Sequence, residues 1–239
     1  RALKVLPDDI KDGFQKLDAA ETDATGKSIL ATMIKNIDVA EDTDNLLCQD
    51  TGIPIYNITI GRGVEVDGID LKAAIRKGCE RATTEYPLRS SIVHPMTREN
   101  EHTSCGHRVP VITVDFSDQP DELVIEMIPK GSGSENGSFL KMCIPAEGVG
   151  GIKTFVIDKV MEAGGKVCPP TIVGVGVGGT ADLCTKLAKI AAIRPLGSVC
   201  GDPEGAKLEL ELTDAVNSLG IGPQGLGGDS TSFAVHVET

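Results

Sequence analysis

The chain has 239 residues, enough to bury a substantial core as one large domain or two small ones. Its net charge of −12 argues against nucleic acid or an anionic membrane as main partner, because both need a basic face. No Trp, two Tyr and five Phe leave little on which bases could stack, and no apolar run reaches the length of a membrane span.

Acidic surface does not exclude a small dianionic substrate, since a few Arg and Lys focused in a cleft can outweigh distant charges. The seven cysteines, Cys48, Cys79, Cys105, Cys143, Cys168, Cys184 and Cys200, are scattered and form no CxxC pair. Secreted disulfide scaffolds are shorter and more regularly spaced, so a reducing, cytoplasmic setting is expected.

Pro7 followed by Asp8 and Asp9 marks a helix start, giving a helix over residues 7–21. Ile29, Leu30, Met33, Ile34 and Ile37 have helical spacing and predict a second helix over 25–40. A strand is expected over 53–60 and a helix over 67–85, with Cys79 in the core. Residues 87–110 form a long polar connection rich in Arg, Ser and His, of the kind that is often functional. Strands over 109–116 and 123–128, joined by Ser117-Asp118-Gln119-Pro120, suggest an antiparallel hairpin. Next come a glycine-serine loop at 129–137, a core Cys143, and a helix over 147–163. The most apolar run, 171–177, reads as a buried central strand whose glycines allow close backbone approach. Helices over 181–192 and 205–218, a Gly-rich turn over 220–228 and a strand over 230–237 complete the chain. The class is α+β, with mixed sheets flanked by helices. Residues 1–239 are expected to form a single catalytic domain, with a seam dividing it into lobes 1–86 and 111–239.

Within this frame Leu46-Leu47-Cys48-Gln49-Asp50-Thr51-Gly52 stands out. It places a thiol, an amide and a carboxylate beside an apolar strand, where unpaired polar groups are costly. Asp-Thr-Gly is also good turn chemistry, and a lone Cys often serves as a small hydrophobe. On this stretch alone both readings stand. The loop headed by Lys130 and Gly131 could let backbone N–H groups approach an anion, although it is neither a P-loop nor a dinucleotide turn.

Cys48-Gln49-Asp50-Thr51-Gly52, Lys130-Gly131-Ser132-Gly133-Ser134-Glu135-Asn136 and Cys168-Pro169-Pro170 occur in this order. Gly178-Gly179-Thr180 and a Leu187-Ala188-Lys189 helix ending at Arg194-Pro195-Leu196-Gly197 follow. Together they resemble the class I fumarase family, the iron-sulfur hydro-lyase α chain shared by fumarate hydratase and L(+)-tartrate dehydratase. The resemblance covers nearly the whole chain. It implies a 4Fe-4S cluster held by three cysteines, with one iron open to act as a Lewis acid on the hydroxyl of a C4 dicarboxylate. Cys48 and Cys168 match two of the ligands. The third ligand, and an active-site histidine before it, are expected beyond Thr239, in a C-terminal tail missing from this chain. Cys184 and Cys200 come nearest by order but match no ligand motif.

By the same resemblance Gln49 and Asp50 contact substrate and serve catalysis, and Arg89 clamps a carboxylate in the bidentate manner suited to guanidinium. Gly131 supplies a backbone contact, with Lys130 beside it. Further substrate groups come from a β subunit, implying a hetero-oligomer or a dimer of α chains. One departure falls at residues 99–108, where the family usually has a short Asn- and Thr-rich loop. Here it carries His102, Cys105 and His107 at a spacing that fits no standard zinc pattern. Two alternatives remain: a non-catalytic homologue that has lost the cluster, and a zinc-dependent enzyme built on this loop.

Overall fold

Pro7 and the acids Asp8 and Asp9 open helix α1 (Asp8–Ala20), and α2 (Ala24–Asp42) follows after a short break. In the computed structural model, which describes residues 2–239, the chain divides into two units. One comprises Arg1–Val5 and Thr43–Glu135, the other Leu6–Asp42 and Asn136–Thr239.

The first unit is organised by strand β1 (Ile53–Arg62), which buries Ile55 and Ile58. Helix α3 (Gly68–Glu85) starts at Asp67, whose carboxylate accepts from the N–H groups of Ile69 and Asp70. It buries Ile75 and, as expected, Cys79. Strands β2 (Val111–Pro120) and β3 (Leu123–Lys130) do not make the expected hairpin. Both pair with β1, in the order β2-β1-β3, with β2 parallel and β3 antiparallel. The turn between them closes over the end of β1: Gly61 N–H donates to the Glu122 carbonyl and Asp121 N–H to the Arg62 carbonyl. The physical reason is burial. β1 is the most buried of the three and takes the centre, while Asp115 and Asp118 on β2 and Glu126 on β3 suit exposed edges. The unit ends in the four-residue helix α4 (Ser132–Glu135).

In the second unit, Val156 from α5 (Gly148–Ala163) joins Val175 from β4 (Thr171–Gly176) in the core. Leu208, Leu212 and Val216 from α7 (Pro203–Asn217), and Val235 and Val237 from β5 (Ser232–Glu238), complete it. β4 and β5 form a parallel two-stranded sheet, so residues 171–177 are not a buried central strand. Only Val175 of β4 is fully buried; β5 is the deeper strand. The expected close approach is present. A Cβ on Gly174 would lie 2.0 Å from the Ala188 carbonyl oxygen of α6 (Ala181–Ala192), so the helix backbone rests directly on the strand.

Two long-range clasps close this unit. Arg194 Nη1 donates to Glu209, Glu238 and the Val237 carbonyl, which ties the Arg194-Pro195-Leu196-Gly197 corner to the last strand. Glu21, at 1% exposure, accepts from the N–H groups of Thr22, Asp23, Asp229 and Ser230. Phe14 packs edge-on against Phe233, joining α1 to β5. Cys143, expected in the core, is exposed instead, because 138–144 runs outside the regular elements with Met142 and Ile144 also exposed.

Candidate active site

The Cys48–Gly52 stretch leads directly into β1, and the Lys130 loop leaves the neighbouring strand β3 in register, with Ile53 opposite Lys130. This pairing brings together two segments almost eighty residues apart. Gly52 makes the approach possible. Its φ is +80°, and a Cβ there would lie 2.5 Å from the Pro129 carbonyl carbon, so no other residue fits without moving backbone.

Asp50 is the meeting point. One carboxylate oxygen accepts from Ser132 N–H at 2.8 Å, and the other accepts from Gly52 N–H at 3.1 Å. Arg89 Nη2 stands 3.6 Å from that second oxygen, an ion pair rather than a hydrogen bond. The Arg89 side chain is 54% exposed, leaving guanidinium donors directed to solvent for an anionic ligand. Gly131 lies against the same carboxylate: a Cβ there would be 3.3 Å from Asp50 Oδ2. The structure thus brings together Asp50, Arg89 and Gly131.

Cys48 and Gln49 are exposed beside this cluster, and Cys48 Sγ accepts from Asp50 N–H at 3.4 Å. Lys130 is turned into its own loop, where Nζ donates to Ser134 Oγ at 2.6 Å and pairs with Glu135. These contacts lie within the loop that carries Gly131.

Cys168 belongs to the second unit. It caps the 3-10 turn of Gly164–Val167 in a left-handed conformation (φ 56°, ψ 62°), and its N–H donates to the Gly165 carbonyl. Pro169 next to it accepts from Gln224 N–H at 2.8 Å, so the Gly-rich turn at 222–225 clasps this corner. The thiol is exposed. By contrast Cys184 donates to the Gly176 carbonyl at 3.1 Å, and Cys200 is buried against α7. Their surroundings are those of packing thiols.

The 99–108 loop does not assemble a zinc site. Cys105 is buried and its thiol is directed at the Arg76 carbonyl, whereas His102 and His107 are exposed. Burial and then the neighbouring Cys79 push the Cys105 thiol up to about 11, away from the thiolate a metal needs. Among the described residues no three His, Cys, Asp or Glu side chains converge as a metal site. The loop instead bonds to the segment bearing Arg89: Asn100 Nδ2 donates to the Ser90 carbonyl, and Ser104 N–H donates to Ser90 Oγ. Sequence reasoning did not single out Thr51, Asn100 or Ser132 by role; Thr51 and Ser132 bond partners far along the chain, and Asn100 bonds Ser90 within the same connection. The available signal was membership of a motif for Thr51 and Ser132, and of the polar 87–110 connection for Asn100.

No helix among the described residues is long and apolar enough to cross a membrane. A family model described as fumarate hydratase (Fumerase) matches residues 1–239. The putative L(+)-tartrate dehydratase subunit alpha of Methanocaldococcus jannaschii is 46% identical over 235 residues, covering 98% of this chain and 82% of that protein. L(+)-tartrate dehydratase subunit alpha of Escherichia coli (strain K12) is 35% identical over 234 residues, covering 98% of this chain and 77% of that one. With its motif cluster assembled on β1 and β3, this chain belongs to the fumarate hydratase family.

Proposed function

We propose that the chain is the α subunit of an iron-sulfur hydro-lyase that adds water to, or removes it from, a C4 dicarboxylate such as fumarate/malate or tartrate. The carrying observation is the arrangement at Asp50: a carboxylate fixed by two backbone N–H groups, with the exposed Arg89 guanidinium beside it. Family membership and the two alpha-subunit relatives support the reaction class. Residues 1–239 form the catalytic region, working in a reducing cytoplasm with a β subunit that completes the pocket.

Cys48 and Cys168 are the proposed ligands of a 4Fe-4S cluster, with a third ligand supplied from outside residues 1–239. They fit the group: both are free, exposed thiols, soft donors of the kind iron-sulfur clusters take, and Cys48 already accepts an N–H. When bound, the cluster supplies Lewis acidity toward the substrate hydroxyl. The chain's own residues do the rest. Arg89 holds a substrate carboxylate through paired N–H donors, which fixes the position of the carbon next to it. Gly131 offers backbone N–H at close range because no side chain intervenes. Asp50, held by the N–H groups of Ser132 and Gly52, can orient a proton transfer on the substrate side. Gln49 provides an exposed amide for a second polar contact.

The test is anaerobic copurification with the β subunit, followed by iron and acid-labile sulfide analysis and a panel of C4 dicarboxylates. A brown complex active on one of them is expected, with Cys48→Ala or Cys168→Ala removing colour and activity together. A colourless but fully active preparation would overturn the assignment.

A further inference from the structure

Arg89 lies outside helix and strand, just beyond α3, yet a bidentate clamp needs its main chain held to a few tenths of an ångström. Two side chains supply that restraint from opposite directions in the sequence. Thr51, at 6% exposure, donates from Oγ1 to the Arg89 carbonyl at 2.5 Å. Asn100 donates from Nδ2 to the next carbonyl, that of Ser90, at 3.0 Å. Ser104 N–H bonds to Ser90 Oγ and completes the second side. We infer that Thr51 and Asn100 are positioning residues that set the Arg89 guanidinium for carboxylate recognition.

The inference rests on the proposed hydro-lyase function and assigns a task to the variant 99–108 loop. Thr51 commits its hydroxyl to the Arg89 carbonyl, and the residue lies between Asp50, which faces Arg89, and Gly52, which faces the Lys130 loop. It thereby ties the position of Arg89 to that of Asp50. Asn100 makes the same tie from the loop, so changes in that loop alter substrate choice without supplying a contact of their own. Neither residue offers the reaction a proton or a charge. Their removal therefore weakens ground-state and transition-state binding alike, which appears in KM rather than kcat.

The experiment uses the complex with the β subunit loaded with its cluster, and compares Thr51→Val, Thr51→Ser, Asn100→Asp and Arg89→Ala, with each of the first three also combined with Arg89→Ala. Steady-state kinetics are paired with calorimetric titration of a non-reacting dicarboxylate. Thr51→Val and Asn100→Asp should each raise KM and the dissociation constant about tenfold, the size of one lost buried hydrogen bond. The change in kcat should stay within about twofold, the visible cluster spectrum should be unchanged, and Thr51→Ser should recover wild-type values. In the Arg89→Ala background Thr51→Val and Asn100→Asp should have no further effect, because their action passes through Arg89. Equal losses with and without Arg89, or a loss confined to kcat, would overturn the inference while leaving the function intact. A wild-type complex with no hydro-lyase activity would remove both.

Discussion

Replacing Glu21 with Gln keeps the shape of the buried clasp and removes its charge. Four N–H groups, from Thr22, Asp23, Asp229 and Ser230, point at the two carboxylate oxygens. An amide has one oxygen, so whichever way it turns, its NH2 faces at least one buried N–H and leaves that donor unsatisfied. One orphaned buried donor costs roughly 1–3 kcal/mol, and the remaining bonds lose their charge assistance. The expected loss is about 3–4 kcal/mol at neutral pH, near 10 °C in Tm for a chain of this size. Burial alone would raise the Glu21 carboxyl, but the N–H groups of Asp229, Asp23 and Ser230 outweigh it and hold it below the usual glutamate range. A lowered folded-state value means the native chain binds fewer protons than the unfolded one as pH falls through the carboxylate range. Stability from this group is therefore full above the unfolded glutamate value and is lost on acidification through the folded one. Thermal melts of wild type and Glu21→Gln at neutral pH and at several acidic values check both points. The Tm gap should narrow in acid. A neutral-pH shift below about 3 °C, or a gap that does not change with pH, would refute the reasoning.

Two substitutions test the glycine contacts. Gly52→Ala places a methyl group against the Pro129 carbonyl and forces a left-handed alanine, roughly 1–2 kcal/mol of backbone strain before any contact is counted. Titration of a non-reacting dicarboxylate should show affinity reduced at least about tenfold, and wild-type affinity would mean that this approach does not hold the site. Gly174→Ala drives a methyl group into the Ala188 carbonyl and should destabilise the second unit by about 3 kcal/mol. A melting temperature within about 2 °C of wild type would show that α6 can shift freely off β4.

The sequence was most legible where the determinant is local. Asp67 and Asp202 each cap the helix that follows, and the spacing of Ile29, Leu30, Met33, Ile34 and Ile37 carried α2. It misled where a local pattern has a non-local partner. Two apolar runs joined by the Ser117-Asp118-Gln119-Pro120 turn carry the ordinary mark of a hairpin, yet β1, fifty residues upstream, takes the place between β2 and β3. Cys143 has a core-like sequence context, but Pro145 and the left-handed Gly148 leave its stretch outside the regular elements. At the candidate site the chemical residues were readable as motifs, and what supports them was not. Nothing near Thr51 in sequence points to the Arg89 carbonyl, and nothing near Asn100 points to Ser90. Such bonds depend on how segments outside the strands fold back on one another, and hydropathy does not encode that.

The order in which the chain leaves the ribosome follows from its connectivity. Glu21 and its Asp229 donor are 208 residues apart, so at 5–20 residues per second the carboxylate emerges roughly 10–40 s before that partner. Phe14 waits for Phe233 through nearly the same interval. Every strand of the intervening three-stranded sheet is synthesised within it, the last ending at Lys130. The inserted unit can therefore be finished while the N-terminal helices still expose an apolar stripe and an unmet carboxylate. During synthesis α1 and α2 are a waiting segment, and β5 with the turn before it completes their fold.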